Sequence, residues 1–264
     1  SAHPFENPNA WTNMLEIFLI LLIPVSLTRA FGVIIGDKRQ GWAILSTMAV
    51  LYFISLAVVM SSETALQTFQ GGGMEGKEMR FGVLPSSFFA VTTTMTSTGA
   101  VDSFHSSYSP LAGGMLMLNM LLGEISPGGV GSGLYGMLII AILTVFIAGL
   151  MVGRTPEYLG KRIGVSEITK ICLYILVMPV LVLAGVGIST MLPSTLDSVS
   201  ADGPHGFSDL IYAFTSASNN NGSAFAGFGA DTPWFNMSLG FAMLFGRFLP
   251  IVMVLGLAGD FAKQ

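Results

Sequence analysis

The hydrophobic positions of the chain fall into long apolar runs that short polar segments separate. A helix needs about 20 consecutive apolar residues to cross the hydrocarbon core of a bilayer. Five runs approach or exceed that length, and they lie at 14–35, 42–60, 133–152, 168–192 and 234–258. A sixth run, at 111–122, is too short to cross alone. The pattern predicts an all-α integral membrane protein that crosses the bilayer several times.

The glycine-rich segment 123–133 allows two topologies. It is either an external loop between two helices or a break inside a single membrane crossing. With the break, most lysines and arginines fall on one side and most acidic residues on the other, as the positive-inside rule requires. The basic side holds Lys38, Arg39, Arg154, Lys161, Arg162, Lys170 and Lys263. We therefore expect one broken crossing, with the basic side in the cytoplasm.

Composition supports a membrane protein, because 52% of the residues are hydrophobic and only 10% are charged. Soluble domains carry about a quarter charged residues. The net charge of −4 excludes a basic nucleic-acid binder. The single cysteine, Cys172, excludes a disulfide framework and a thiol-metal site, and its apolar surroundings predict a buried packing thiol. Because Ser1 stands where an initiator methionine is expected, we expect both ends to be cuts through a longer protein.

An internal repeat indicates the architecture. Segments 88–101 and 211–224 align at a constant offset of 123 positions. The matched pairs are Ala90 with Ala213, Thr92 with Thr215, and Gly99 with Gly222. In each copy, a spanning helix precedes a short apolar helix, which a Ser/Thr/Asn-Gly segment and another crossing follow. The sequence therefore predicts helix–pore-helix–helix repeats with re-entrant filter loops.

The glycine-containing segments suit the binding of a dehydrated cation. Non-helical backbone survives at membrane depth only where it is buried in protein or lines a watery cavity. Rings of backbone carbonyls can replace the hydration shell of a cation, and glycine permits the positive φ that turns carbonyls toward one axis. The candidate residues are Ser97, Thr98, Gly99, Ala100, Asn220, Asn221, Gly222 and Ser223. The alternative interpretation is two ordinary polar turns outside the membrane.

Acidic residues in the predicted outer connections would raise the cation concentration at a pore mouth. They are Asp102, Asp197, Asp202, Asp209 and Asp231. Taken singly, each is expected to be a solvated loop charge.

Two charges lie inside apolar segments, where each costs about 2.5–3.5 kcal/mol on insertion scales. We expect Glu124 and Arg247 to face the pore below the filter, with Arg247 paired to Glu124 or bonded to carbonyls of 126–133. The alternative for Arg247 is snorkelling to an interface.

Glycines make segment 126–133 persistently non-helical, and we expect a movable gate there, with a rigid packing kink as the alternative. These glycines are Gly128, Gly129, Gly131 and Gly133.

Long motifs of this chain resemble the KdpA family, the potassium-translocating subunits of bacterial Kdp P-type ATPases. The resemblance lies in the opening Ser-Ala-His-Pro-Phe-Glu-Asn-Pro, in Thr-Ser-Thr-Gly-Ala-Val-Asp-Ser at 96–103, and in segments 123–133, 153–161, 218–225 and 246–250. It implies four helix–pore-helix–helix repeats around one filter, related to the Trk/Ktr/HKT transporters. The chain would cover roughly the C-terminal half of such a protein.

The resemblance also implies the domain organisation. Residues 1–40 would end the second repeat with a polar segment and one helix. Residues 41–165 would form the third repeat, with filter 96–103 and intramembrane loop 126–133, and residues 166–264 the fourth repeat, with filter 218–225. Two further filter segments would precede Ser1, and a last helix would follow Gln264. The potassium site would include Thr98, Gly99, Ala100, Asn221, Gly222 and Ser223, with Arg247 facing the pore.

The function that the resemblance implies is binding and translocation of K⁺ in an ATP-driven uptake complex of the bacterial plasma (inner) membrane. K⁺ is the expected ion, and no organic cofactor is expected. The chain has no Asp-Lys-Thr-Gly or Walker A pattern, so we expect a non-enzymatic subunit. Its expected partners are a KdpB-like ATPase subunit, small KdpC-like and KdpF-like subunits, and the lipid bilayer.

Three other functions compete with this one. The first is a stand-alone Trk/Ktr-type K⁺ channel, and the second is an assembly subunit without a transport role. The third is an intramembrane enzyme, which needs a serine with a histidine, or paired aspartates, at membrane depth. The histidines His3, His105 and His205 all fall in polar segments, which argues against the enzyme.

Overall fold

The computed structural model describes residues 9–70 and 73–264, except for the side chains of 66–70. The predicted polar segment at the start of the chain, with His3, lies outside the described residues. In chain order, the described elements are α1 (Ala10–Ile34), α2 (Lys38–Gln70), α3 (Val83–Met95), a 3₁₀ turn (His105–Ser107), α4 (Pro110–Leu121), α5 (Ser132–Val152), β1 (Glu157–Tyr158), β2 (Lys161–Arg162), α6 (Val165–Met191), α7 (Pro193–Leu196), α8 (Pro204–Asn219) and α9 (Pro233–Ala262).

Five of the described helices are long and apolar enough to cross a membrane: α1, α2 over Lys38–Ala65, α5, α6 and α9. They correspond to the five predicted apolar runs. Their ends follow from capping, since the side chain of Asn9 accepts hydrogen bonds from the first-turn amides of α1. Pro233 begins α9, where a missing amide proton costs nothing. The prediction of an all-α multi-pass membrane protein is therefore confirmed.

Cys172 corrects one prediction, because it is exposed rather than buried. Its neighbour Ile171 is fully buried in a cluster with Ile139 and Leu257. One residue along a helix turns the side chain by about 100°, so Cys172 points away from that cluster, to the outer face of α6. An apolar run shows that a helix is embedded, but not which of its faces meets protein.

Each of the two short helices α3 and α8 is enclosed by longer ones. Helix α3 packs against α1, α2 and α4, whereas α8 packs against α6, α9 and α4. In the first unit, Ala90 and Val91 contact a core that includes Tyr52 and Leu116. The second unit has its own core, formed by Val182, Val186, Leu210, Phe214, Phe235 and Ala242. The order of helix, short helix, glycine segment and helix thus occurs twice, as the sequence repeat predicts.

The glycine-rich break folds back into the helix bundle and is not an external loop. Helix α4 has 12 residues and ends at Leu121, whereas α5 begins at Ser132. Between them, the amide of Gly128 donates to the carbonyl of Met95 at 2.9 Å. The hydroxyl of Ser126 donates to the carbonyl of Met48, well inside α2. The break therefore lies beside the C-terminal end of α3.

One boundary of the predicted gate segment is wrong. Gly133 belongs to the first turn of α5, so the non-helical part ends at Gly131. A Cβ at position 133 would overlap the carbonyl oxygen of Pro127. Glycine is needed there because the first turn of α5 contacts the backbone of the break. The start of α5 was not predicted, because glycine is a poor helix former and the glycine run continues into the helix.

Helices α6 and α9 run antiparallel in close contact. Lys170 forms an ion pair with Asp260 near one end, and at the other the indole of Trp234 donates to Ser189 at 2.9 Å. The motif at 153–161 enters a two-residue antiparallel hairpin in which Glu157 pairs with Arg162. This hairpin meets the end of α9 through a hydrogen bond from the amide of Arg162 to the side chain of Gln264.

Candidate functional site

The two repeated glycines lie against each other. Gly99 has φ +74° and Gly222 has φ +100°, so both adopt the left-handed conformations that favour glycine. A Cβ at Gly99 would overlap the carbonyl oxygen of Asn221 and lie 3.2 Å from the Cα of Gly222. We call residues 97–100 the first glycine segment and residues 220–223 the second. These two matched positions of the sequence repeat are therefore also neighbours in space.

Both glycine segments begin at the C-terminal end of a short helix. Helix α3 ends at Met95, where the hydroxyl of Thr96 donates to the carbonyl of Thr92 at 2.7 Å and bonds the hydroxyl of Thr98 at 2.8 Å. Helix α8 ends at Asn219, so Ser218 and Asn219 of the predicted second filter are still helical. The partial negative charge at a helix C-terminus favours a cation, and two such ends converge here.

The second glycine segment is held by its side chains. The amide of Asn221 donates to the carbonyl of Thr93 at 2.9 Å and to the carboxylate of Glu124 at 2.8 Å. Its oxygen accepts from the backbone and the hydroxyl of Ser223, at 3.1 and 2.6 Å. Asn221 and Ser223 are buried, whereas Thr98 and Gly222 are exposed. The structure therefore divides the predicted site residues into side chains bound behind the segments and positions that face open space.

Glu124 connects the two glycine segments from below. It is buried, and its carboxylate accepts hydrogen bonds from the hydroxyl of Ser97 and from the amide of Asn221. Ser97 belongs to the first segment and Asn221 to the second. A single carboxyl group thus binds both halves of the site.

The expected contacts of Arg247 are wrong. Within residues 9–70 and 73–264, its guanidinium forms neither an ion pair with Glu124 nor a hydrogen bond to segment 126–133. The partners of the Glu124 carboxyl group are instead Ser97 and Asn221. Arg247 instead lines a cavity of about 250 Å³, and the other polar or glycine positions around it include Thr98, Gly129 and Ser132.

The glycine-rich break contacts the first glycine segment directly. A Cβ at Gly129 would lie 3.3 Å from the Cβ of Ser97. Gly128 and Gly131 both have φ +81°. The break therefore has a backbone that other residues rarely adopt, and Gly129 borders the same cavity as Thr98 and Arg247. Its motion as a gate stays a prediction.

Two of the acidic residues expected to be solvated are buried, which corrects that expectation for Asp102 and Asp209. Asp209 accepts hydrogen bonds from the backbone and the hydroxyl of Ser200, so it braces the connection before α8. Asp102 accepts a hydrogen bond from Ser103 at 3.0 Å. Both carboxyl groups therefore stabilise local structure. Their burial could not be predicted, because the polar sequence around each of them is typical of an exposed loop. Exposure was predicted correctly for Asp197, Asp202 and Asp231.

Sequence reasoning missed a buried ion pair and a buried histidine. Lys77 lies 2.7 Å from Glu63, with both side chains fully buried, and its ammonium group lies 4.2 Å from the ring centre of Tyr108. His105 is buried and bonds the hydroxyl of Tyr212 at 2.6 Å. The internal repeat holds one signal, because Tyr212 carries a hydroxyl where the first copy has Phe89.

The fold and the site together define a multi-pass membrane protein in which two short helices and their glycine segments meet inside a bundle of long helices. The family described as KdpA, Potassium-transporting ATPase A subunit, matches residues 1–264. The chain belongs to the KdpA family.

Curated relatives carry the name potassium-transporting ATPase potassium-binding subunit. One from Streptomyces coelicolor is 63% identical over 100% of this chain and 48% of its own length. Another from Streptomyces griseus is 60% identical, and one from Kineococcus radiotolerans is 56% identical, each again over 100% of this chain and 48% of the relative. The chain spans about half the length of these relatives.

Proposed function

We propose that this chain forms part of a K⁺ filter in the K⁺-binding and translocating subunit of an ATP-driven uptake complex in the bacterial plasma membrane. The contact of Gly99 with Asn221 and Gly222 carries the proposal. It brings together two backbone segments that follow convergent helix C-termini and contain glycines of positive φ. The names of the relatives support K⁺ as the ion and an ATPase complex as the setting.

The ion would be bound by backbone carbonyls of the two glycine segments. The amide of Asn221 and the hydroxyl of Ser223 are already bonded within the protein, so they hold the backbone in place and leave its oxygens for the ion. A bound cation would favour the ionised form of Glu124, which would then attract the ion from its position behind the segments. An ion that is bound weakly at several successive sites can both enter and leave a filter. The same carbonyls would therefore serve both binding and translocation.

Arg247 and the glycine-rich break would form the exit gate below the filter. The guanidinium of Arg247 lines the cavity that Thr98 and Gly129 also border. The positive charge of Arg247 would repel K⁺, so that the ion would not bind in this cavity after it leaves the glycine segments. Energy would come from a KdpB-like ATPase subunit, and KdpC-like and KdpF-like subunits would complete the complex.

Substitution of Gly99 tests the proposal in the full-length protein assembled with its ATPase partner. Gly99→Ala adds a Cβ that overlaps the Asn221 carbonyl, whereas Gly36 has the same φ of +74° with no atom within 4 Å of the added Cβ. Gly36→Ala therefore matches the backbone strain without the clash. We expect Gly99→Ala to weaken the apparent K⁺ affinity of ATP hydrolysis by about tenfold or more, and Gly36→Ala to leave it near the wild-type value.

Equal K⁺ affinities for the two variants, in complexes that assemble, would contradict the filter assignment. The stand-alone channel makes a different prediction, namely K⁺ uptake into proteoliposomes that hold the full-length protein without its ATPase partner. We expect no such uptake at micromolar K⁺.

A further inference from the structure

A continuous chain of buried hydrogen bonds passes behind the two glycine segments, from His105 to Glu124. The imidazole Nδ1 of His105 lies 2.6 Å from the hydroxyl of Tyr212, which lies 2.8 Å from the hydroxyl of Ser223. That hydroxyl lies 2.6 Å from the side-chain oxygen of Asn221, whose nitrogen lies 2.8 Å from Glu124. All five side chains belong to buried residues.

The donors and acceptors leave one arrangement of the protons. Both amide protons of Asn221 are used, for Thr93 and Glu124, so its oxygen accepts the hydroxyl proton of Ser223. The hydroxyl of Tyr212 must then donate to Ser223, because a hydroxyl carries one proton. It follows that Nδ1–H of His105 donates to Tyr212. The donors all point from His105 toward Glu124, and aligned bonds of this kind strengthen one another.

This chain cannot relay protons from end to end. The amide of Asn221 lies between the hydroxyl of Ser223 and the carboxylate of Glu124, and an amide does not exchange its protons as a hydroxyl or imidazole does. Its role is therefore mechanical. His105 and Glu124 flank α4, whereas Tyr212 lies in α8 and the other two members follow α8. The hydrogen bonds thus connect the two units that supply the glycine segments.

We propose that Tyr212 and His105 are positioning residues for ion discrimination. They fix Ser223 and Asn221, and through these side chains they hold the second glycine segment against Gly99. The inference rests on the proposed function of the glycine segments as a K⁺ filter. A backbone that is held in one position presents its oxygens at one spacing, whereas a backbone that is released can close around a smaller ion.

Tyr212→Phe tests this in the full-length protein assembled with its ATPase partner. The variant removes only the hydroxyl, because the ring remains stacked on Phe225 at a centroid distance of 4.2 Å. Tyr52→Phe is the matched control, since it removes a buried hydroxyl bonded at 2.6 Å to Thr92, in the body of α3. We expect Tyr212→Phe to reduce the ratio of apparent affinities for K⁺ over Na⁺ by about tenfold, and Tyr52→Phe to leave it unchanged.

A pair of His105 variants gives a second measurement if Tyr212→Phe prevents assembly. Asparagine places an N–H donor near the position of Nδ1, whereas leucine provides none. We expect His105→Asn to keep the wild-type ratio and His105→Leu to lower it as Tyr212→Phe does. The double variant His105→Leu with Tyr212→Phe should be no worse than either single one, because both break the same chain.

The proposal is overturned if Tyr212→Phe and His105→Leu give the same K⁺/Na⁺ ratio as Tyr52→Phe. It is also overturned if the two single effects add in the double variant. A wild-type complex whose ATP hydrolysis does not respond to K⁺ would instead remove the proposed function itself, and this inference with it.

Discussion

The carboxylate of Glu124 accepts a hydrogen bond from the amide of Asn221 at 2.8 Å, across 97 positions of the sequence. The same carboxyl group binds Ser97, so residues from both glycine segments meet at one side chain. Glutamine can keep both hydrogen bonds but cannot ionise. The effect of this carboxyl group on a nearby cation can therefore be separated experimentally from its effect on the fold.

Glu124→Gln should separate charge from hydrogen bonding. Glutamine can accept from Asn221 and donate to the hydroxyl of Ser97, so we expect the complex to assemble normally. Loss of the charge should weaken the apparent K⁺ affinity of ATP hydrolysis several-fold to about tenfold. Glu124→Leu also orphans the buried amide of Asn221, which costs about 1–3 kcal/mol, and should lower thermal stability as well. A Gln variant with wild-type affinity would show that the charge does not act on the ion.

Arg247→Met should change transport and leave stability nearly intact. Among the described residues the guanidinium of Arg247 forms no ion pair or hydrogen bond, so its removal breaks no bond to these residues. We expect an altered transport rate, or an altered ratio of K⁺ moved to ATP hydrolysed, at unchanged abundance in the membrane. Arg80→Met serves as the control, because Arg80 is an exposed arginine paired with Glu78 at 2.8 Å. Reduced abundance alone would assign Arg247 a structural role.

The ion pair of Glu63 and Lys77 should stabilise the fold only as a pair. Both side chains are fully buried, so removing one partner leaves an uncompensated charge at a cost of about 3–5 kcal/mol. We expect Glu63→Gln and Lys77→Met each to lower the melting temperature of the assembled complex by several degrees. The double variant should recover much of that loss. Thermal unfolding of all four proteins in detergent measures this, and additive losses would contradict it.

Asp102 should make stability depend on pH. It lies in the connection between α3 and α4, outside the five spanning helices, and burial raises the pKa of its carboxyl from 3.8 to about 7. The folded state therefore favours the protonated form. This contribution to stability is complete below about pH 4 and is lost as the pH rises toward about 7.

The matching variant is Asp102→Asn, which cannot ionise. Its melting temperature should exceed that of the wild type by a margin that grows from pH 4.5 to about pH 7 and is constant above. Asp197→Asn, at an exposed carboxyl, should show no such trend. A margin for Asp102→Asn that stays constant throughout this pH range would argue against a buried, protonated carboxyl.

Hydropathy was sufficient to predict the five long helices, because lipid imposes length and apolarity on every crossing. The internal repeat predicted that a short helix and a glycine segment occur twice, because the same order of apolar and polar segments recurs in the sequence. The contacts of the polar groups were not predictable in the same way. Glu124 binds Ser97 and Asn221 rather than Arg247 because of how two distant segments fold together, and no local pattern encodes that choice.

The burial of Asp102 and His105 escaped prediction for a similar reason. Both stand in polar connections, which usually lie at a surface. Here the connections fold inward between the short helices, where the polar groups find partners such as Ser103 and Tyr212. A polar segment next to a re-entrant helix therefore has to be judged by its tertiary partners rather than by its composition.

The overlap between a Cβ at position 99 and the Asn221 oxygen also limits how the two short helices can be re-engineered. An inserted or deleted residue anywhere within α8 would turn everything after it by about 100°. That rotation would move the oxygen of Asn221 away from Gly99. An insertion after Tyr212 would also separate the ring of Tyr212 from Phe225. Chimaeras that exchange α3 or α8 with those of a relative must therefore conserve helix length at the glycine end, while additions before Pro204 leave the register untouched.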